Sequence, residues 1–345
     1  MTWILALLGL GFAYALLEWS SDDAKEFRDE DADRESDTPD DRVIGVANNT
    51  ISDETDGADS FQRDPALDGF FTARLNGGAG DVVLRLSNRD GTAKMFDVTV
   101  DGGRGIDVID VDGESTTVSG GDGNDTIVAR LTGGLVNEDA GDDVIRVRAG
   151  ASTAVIVDGG SGADRIGVSG SANVIARGGL GDDIIVTDGT GDLGAGFNIV
   201  AEGGPGNDTF LHSLNIAVLP DLEANPAIMC GGESADLFRI ALTGGGDPIA
   251  PNPDGTVTCD NRAGLIEDFS RDEDRLEIDL TQTSPLYSAI DARLVEQTAI
   301  GATDIVLDMP GSTHPVQQIV IRVGTTGLQW ADISFIGRNA SLHQA

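Results

Sequence analysis

Basic residues are scarce in this chain of 345 residues, which has 22 Lys and Arg against 59 Asp and Glu and a formal net charge of −37. So large a negative excess excludes nucleic acid and anionic lipid as natural partners, because both would be repelled. Cations are the partners that this charge favours. Aromatic residues make up only 5% of the chain, and acidity with few aromatics is also typical of disorder. Recurrence of the acids at fixed positions argues against disorder.

Residues for zinc and nucleophilic chemistry are also few. His212, His314 and His343 stand alone without an HExxH or other paired spacing, so the sequence predicts no zinc site. It contains neither a GxSxG nucleophile turn nor a GxxxxGK(S/T) phosphate loop. Cys230 and Cys259 are the only cysteines. In an oxidising compartment they are expected to form a disulfide around the segment between them, and the alternative is two buried free thiols.

The N-terminal segment 1–17 carries no charged side chain, and an acidic stretch follows at 18–42. The apolar run is short for a membrane span of about 20 residues and long for a signal-peptide core of roughly 7–15. It lacks a basic leading region, and its one small-x-small site, Ala13 to Ala15, lies inside the run. These features favour an uncleaved membrane anchor over a cleaved signal or a buried helix. Segment 18–42 has too little apolar surface to offset ordering entropy and is predicted to be a disordered tether.

A repeat organises the rest of the chain. Five copies of GGxGxD start at Gly102, Gly120, Gly159, Gly178 and Gly203. Three worn copies start at Asn76, Glu138 and Gly231. A shuffled chain of this composition would contain GGxGxD roughly 0.1 times, so the copies are no accident of composition. From Gly102 onward the starts are 18, 18, 21, 19, 25 and 28 residues apart, so the unit is two nonapeptides or slightly longer.

The pattern resembles the GGxGxDxUx nonapeptide, with U a large apolar residue, of the repeats-in-toxin (RTX) calcium-binding proteins. The resemblance covers about 76–345 and implies an all-β fold, a parallel β-roll or β-helix that binds calcium between like turns of successive coils. Only one turn per coil keeps the motif here, so the opposite turns, which carry Asp112 and Asp188, are predicted to be poor in metal. About five Ca²⁺ ions are expected, one between each pair of consecutive motif turns from 102 to 203.

Glycine and aspartate in these turns supply oxygen ligands for calcium. Glycine permits a positive φ and close backbone approach, so carbonyl oxygens can point inward, and the sixth-position aspartates form a column of like charges. Metal binding and folding are therefore expected to be one event. The candidate ligands are Gly102, Gly105, Asp107, Gly120, Gly123, Asp125, Gly141, Asp143, Gly159, Gly162, Asp164, Gly178, Gly181, Asp183, Gly203, Gly206, Asp208, Asp236 and Asp81. The copy at Glu138 lacks both leading glycines, so its sites are expected to be weaker.

Two apolar columns appear in the same frame. The eighth motif positions are Val83, Ile109, Ile127, Ile145, Ile166, Ile185, Phe210 and Phe238. The positions two residues before the motifs are Val100, Val118, Val136, Val157, Ala176, Ala201 and Met229. Alternation of one apolar residue with polar neighbours is typical of short strands, so each coil is expected to contain two strands that turn these side chains inward.

The β-roll is predicted over 43–240 and a C-terminal cap of antiparallel strands over 241–345. Segment 265–280 resembles the segment with which RTX proteins close the last coil, and Asp268, Asp272 and Asp274 are candidate further ligands there, although Asp272 also fits an exposed strand edge. Three alternating runs follow, at 292–297, 304–309 and 317–323. Turn residues separate them, which predicts antiparallel strands that cover the open end of the roll.

Two functional classes fit these features. The first is a non-enzymatic calcium-binding protein with a structural or adhesive role outside a bacterial cell or on its surface, with extracellular glycans as candidate partners. The alternative is a secreted enzyme or epimerase-like module that acts on polysaccharide, since RTX rolls often accompany such activities. A catalytic domain usually needs more than the roughly 35 residues between the tether and the first worn repeat, which favours the first class. RTX proteins leave the cell by type I secretion through a C-terminal signal, so the apolar segment 1–17 leaves two export routes open.

Overall fold

The computed structural model describes residues 42–46, 50–53, 59–63, 69–86, 93–150, 153–170, 172–188, 199–215, 227–244, 261–283, 290–309, 317–337 and 340–344. Within these ranges the regular elements are β-strands, apart from a single 3-10 turn at Trp330–Asp332. The fold is therefore all-β, as the repeat predicted.

Two long sheets contain nearly all the strands, which are numbered here in chain order. The first sheet has twelve strands in the order β1 (Arg42–Val46), β3 (Asp59–Arg63), β6 (Val83–Leu86), β9 (Val108–Gly113), β11 (Thr126–Leu131), β13 (Val144–Ala149), β15 (Arg165–Gly170), β17 (Ile184–Asp188), β19 (Thr209–Asn215), β21 (Leu237–Gly244), β23 (Arg275–Thr283) and β27 (Ile333–Ile336). The second sheet has fourteen strands in the order β2 (Thr50–Asp53), β5 (Ala73–Asn76), β8 (Thr99–Arg104), β10 (Thr116–Asp122), β12 (Gly134–Ala140), β14 (Val155–Ser161), β16 (Val174–Leu180), β18 (Ile199–Pro205), β20 (Ala227–Glu233), β22 (Asn261–Ile266), β26 (Gln317–Val323), β25 (Ala302–Met309), β24 (Ile290–Gln297) and β28 (Ala340–Gln344). A separate pair consists of β4 (Gly69–Phe71) and β7 (Ala93–Met95).

Each coil of the repeat region contributes one strand to each sheet, and strands of successive coils pair in parallel. The register follows the motif spacing, because Val100 of β8 pairs with Val118 of β10 and Ile109 of β9 pairs with Ile127 of β11. Both displacements are 18 residues, one repeat unit. This pairing confirms the predicted parallel roll.

The core lies between the two sheets and is built from the predicted columns. The eighth-position column is buried from Ile109 to Phe238, and the column that precedes the motifs is buried from Val100 to Met229. Burial of one such side chain contributes roughly 1.5–3 kcal/mol, and alanine contributes less. Because only a few inward side chains belong to each coil, the backbone ladders and the turns must provide much of the remaining stability.

The prediction that Val83 begins the eighth-position column was wrong. Val83 is only half-buried, whereas Leu84 is buried and pairs with Ile109 of the next coil. The worn first copy therefore starts at Gly77 and not at Asn76. The physical reason is the two-residue period of a strand, since a shift by one residue would turn every inward side chain toward solvent.

The C-terminal region combines antiparallel strands with a continued parallel stack. The antiparallel pairs β24–β25 and β25–β26 confirm the three predicted cap strands. The parallel stack nevertheless continues beyond residue 240, where the roll was predicted to end, because β23 pairs in parallel with β21 and then with β27. Leu276 and Ile278 of β23 pair with Phe238 and Ile240 and extend the inner columns, so the apolar alternation supports a further coil.

The predicted anchor 1–17 lies outside the described residues, and so does the predicted tether 18–42 except for Arg42, the first residue of β1. In the part of the chain that the structure describes, no helix has the length and apolar character needed to cross a membrane.

Candidate metal centre

The motif turn connects the two sheets in each coil. In the coil that starts at Gly102, β8 ends at Arg104 and β9 begins at Val108, so motif positions four to six form the turn. Gly103 has a φ of +99° and Gly105 a φ of +131°, values that residues with a side chain rarely adopt. Successive turns also stack so closely that a Cβ on Gly103 would collide with the backbone of Gly78. Glycine at these positions thus allows the turns to stack.

Glycine in the first motif position makes room for a carboxylate. Gly102 is buried on the inward side of β8. A methyl group there would collide with Oδ2 of Asp107 and with the carbonyl oxygen of Gly120 in the next coil. The same neighbours, an aspartate Oδ2 and the next coil's carbonyl oxygen, are found at Gly102, Gly159 and Gly203. A carboxylate oxygen and a carbonyl oxygen from successive coils therefore face one small space inside the turn.

The sixth-position aspartates form a hydrogen-bonded ladder along the stack. Oδ1 of each aspartate accepts the backbone N–H of the corresponding residue one coil earlier, so Asp107 donates to Asp125 at 2.7 Å and Asp125 donates to Asp143 at 2.6 Å. The ladder continues at 2.8–2.9 Å through Asp164, Asp183, Asp208, Asp236 and Asp274. These hydrogen bonds fix the orientation of each carboxylate and leave its second oxygen for another partner.

That second oxygen, Oδ2, is buried without a hydrogen-bond partner in six of the aspartates. They are Asp107, Asp125, Asp143, Asp164, Asp183 and Asp208, each about 1% exposed. Buried polar atoms normally have a partner, and an unpaired buried charge is costly. Six such oxygens lie in one line next to inward carbonyl oxygens. A row of hard cations between the coils would give each of these oxygens a partner. The atoms near the line that could bind a metal are oxygens, which suit calcium better than a soft metal.

The protonation behaviour of the column reflects the same burial. Burial is the largest cause that raises the pKa of Asp107, Asp164 and Asp208 to about 7, and neighbouring carboxylates add to the effect. For Asp143 and Asp183 burial raises the pKa to about 6. The hydrogen bonds of the ladder act in the opposite direction but do not offset the burial. Without a cation, the folded column therefore takes up protons at a higher pH than free carboxyl groups do.

The carboxylate of Glu138 lies beside this column, which the worn motif did not indicate. It occupies the first motif position, where the other repeats from Gly102 onward have glycine, and its side chain lies over Gly120. The residue is fully buried, and neither carboxylate oxygen has a hydrogen-bond partner. Carboxylate oxygens of Glu138, Asp125 and Asp143 lie within 4.8 Å of one another. Burial, and after it the charges of Asp143 and Asp125, raise the pKa of Glu138 to about 10.

Asp81 does not lie in the column, so its prediction as a member was wrong. The backbone N–H of Val82, not that of Asp81, donates to Oδ1 of Asp107, which places Val82 in the sixth position. Asp81 is in the fifth position, is exposed, and accepts the backbone N–H of Ile106. The one-residue shift of the first copy explains this difference.

At the C-terminal end of the column, backbone N–H groups donate hydrogen bonds to the acidic side chains. Asp236 is buried, and its N–H donates to Oδ1 of Asp274, whose Oδ2 accepts the N–H of Ser270. Both oxygens of Asp268 accept backbone N–H groups, those of Gly231 and Gly232. Backbone donors thus engage both oxygens of Asp268 and of Asp274, two of the predicted further ligands. Asp272, the third, is exposed in the turn that precedes β23, so it does not lie at a strand edge as the alternative expected.

Acidic residues on the opposite side of the coil have cationic partners. Nη1 of Arg130 on β11 donates to Oδ1 of Asp112 at 2.6 Å and to Oδ1 of Asp110 at 3.0 Å. The side chains of this cluster are partly exposed. Asp188 ends β17, and its side chain lies outside the described residues. The contrast with the motif side favours a single stack of metal sites, which stays a prediction.

The thiol of Cys230 is half-buried and donates to Oε2 of Glu267 at 3.5 Å. Burial and the nearby carboxylates raise the pKa of this thiol to about 12, which disfavours the thiolate. Cys259 lies outside the described residues, so the choice between a disulfide and two free thiols is untested.

No protein-family model and no curated protein matches the chain. The assignment of the site therefore rests on the residues and their geometry.

Proposed function

We propose that this protein is a calcium-binding β-roll of the RTX kind, which folds when calcium occupies the spaces between successive motif turns. The observation that supports this proposal is the line of six buried aspartate oxygens without hydrogen-bond partners. Each ion would be held by aspartates of two neighbouring coils and by first-position carbonyl oxygens such as that of Gly120. About five ions fit between consecutive turns from 102 to 203.

The proposed role is structural or adhesive and lies outside the cytoplasm, at the surface of a bacterium or in its surroundings. Extracellular modules bind calcium at about 10⁻⁴–10⁻³ M, so a chain with sites of this kind would stay unfolded in a calcium-poor cytoplasm and fold after export. The apolar segment 1–17 would attach the protein to the membrane. Glycans are the proposed partners, and contact with them through calcium would avoid the repulsion between the net charge of −37 and acidic polymers.

Far-UV circular dichroism of the full-length chain, titrated with calcium from a chelator, tests the proposal. We expect a cooperative gain of β structure at free calcium of roughly 10⁻⁴–10⁻³ M, with about five ions bound. Magnesium is the matched control, because it demands near-octahedral geometry and should not replace calcium. Identical spectra in chelator and in millimolar calcium would refute calcium-dependent folding.

A further inference from the structure

Glu138 distinguishes one level of the stack from all others. In the neighbouring repeats the first position is glycine, whose missing side chain leaves space for the aspartate carboxylate. Here the first-position residue adds its own carboxylate to that space, between Asp125 of the preceding coil and Asp143 of its own coil. The following residue, Asp139, adopts a φ of +61° where the intact motif has glycine, so the turn keeps its shape although both leading glycines are replaced.

The burial of Glu138 requires a physical explanation. Its side chain is inaccessible to solvent, and both Oε1 and Oε2 lack a hydrogen-bond partner. Hydrogen bonds from neighbouring backbone groups orient the aspartates of the ladder, but none holds the carboxylate of Glu138. In their ionised form, three acidic groups with oxygens within 4.8 Å of one another repel strongly unless a cation lies among them.

Charge balance favours a divalent cation at this level. Under the proposed function each inter-coil space takes one Ca²⁺, while each coil supplies one sixth-position aspartate, so a typical ion is matched by about one negative charge. Glu138 adds a second charge at one space and brings that ion to neutrality. Calcium affinity in proteins rises with the charge count of the ligands and the rigidity of the site, and the ladder bonds of Asp125 and Asp143 keep this site rigid.

We propose that Glu138, with Asp125 and Asp143, forms the tightest calcium site of the stack, which fills first and on which the neighbouring coils fold. This inference rests on the proposed calcium-binding function and reverses the expectation from the sequence. The loss of two glycines suggested poorer carbonyl ligands and weaker binding. The position of the Glu138 carboxylate indicates that this copy gains an acidic ligand instead.

Equilibrium calcium binding to the full-length chain, measured with chelator-buffered free calcium, tests this inference. In the wild-type protein we expect one ion to bind about ten-fold more tightly than the rest. Glu138→Gln removes the charge with little change of shape and should abolish this tight step while the total number of ions stays the same. Glu138→Gly restores the first-position glycine of the motif and should also abolish it, which separates loss of the ligand from a packing defect. Glu233→Gln, at the exposed end of β20, should leave the tight step intact.

The outcomes separate this inference from the proposed function. A wild-type chain that binds no calcium overturns both. A wild-type chain that binds calcium in one class of weak sites, or a Glu138→Gln chain that keeps the tight step, overturns only the role of Glu138. If either Glu138 variant binds one ion more than the wild type, the side chain occupies the place of an ion and the inference is also wrong. Should Glu138→Gln fail to fold in saturating calcium, Glu138→Gly decides the question.

Discussion

Replacement of Asp183 by alanine is expected to raise the calcium concentration needed for folding about three-fold. Oδ1 of Asp183 accepts the N–H of Asp164 at 2.8 Å, and its Oδ2 faces the space beside Gly178. The variant leaves the buried N–H without its acceptor, which costs about 1–3 kcal/mol, and removes a carboxylate from the two spaces that flank its coil. A total loss of about 3 kcal/mol, distributed over about five cooperatively bound ions, corresponds to a midpoint shift of roughly three-fold.

The assay is a calcium titration followed by far-UV circular dichroism, with Asp122→Ala as the control. Asp122 is the last residue of β10, next to a motif turn, but its side chain is 68% exposed and its only ion pair in the described structure is a 3.5 Å contact with exposed Arg104. The control removes the same charge from the surface and should shift the midpoint much less. Equal shifts for the two variants, or no shift for Asp183→Ala, would refute the assignment of the aspartate column as the calcium site.

Three further predictions concern pH, packing and the opposite turns. In chelator the chain should gain β structure as the pH falls from 8 to 5, because burial raises the folded-state pKa of Asp164 to about 7, so protonation removes the cost of its buried charge. Far-UV circular dichroism in chelator at both pH values tests this, and an unchanged or smaller β content at pH 5 would contradict it. Gly178→Ala should raise the calcium midpoint, because the added methyl collides with the Asp183 carboxylate, and an unchanged titration would show that the turn adapts. Asp112→Ala breaks a partly exposed pair with Arg130, so thermal unfolding in calcium should report a loss of less than about 1 kcal/mol, and a midpoint shift as large as that of Asp183→Ala would place metal on the opposite turns.

The regularity of the repeat explains why much of the fold was predictable. Apolar residues recur at fixed offsets from the glycines, and a strand with one inward face has a two-residue period, so the spacing alone predicts columns such as Ile109 to Phe238. The prediction failed where the repeat is worn. The sequence GGAGDV allows two alignments, and the pairing of Leu84 with Ile109 together with the hydrogen bond from Val82 to Asp107 shows that Asp81 lies outside the column.

The extent of the roll depended on tertiary contacts. No GGxGxD follows Gly231, so the motif could not show that β23 and β27 continue the parallel stack. Their inclusion follows from inward residues that pair with those of the previous coil, a contact across 38 residues between Phe238 and Leu276. Local sequence patterns carry little information about strand pairings at that separation. Such a pairing depends on which strand edge the preceding coil leaves open, and this is a property of the folded chain.

The sequence by itself determined the all-β class, the coil length and the positions of the turn aspartates, since glycine tolerance for positive φ and the strand period are local properties of the chain. The tertiary structure decided which carboxylates meet. Asp125, Glu138 and Asp143 are separated by 13 and 5 residues, and their oxygens come within 4.8 Å because the stacking of two coils brings one turn directly over the next. An acid in place of a glycine looked like a damaged motif in the sequence, whereas the space left by Gly120 in the adjacent coil holds its carboxylate beside the aspartate column.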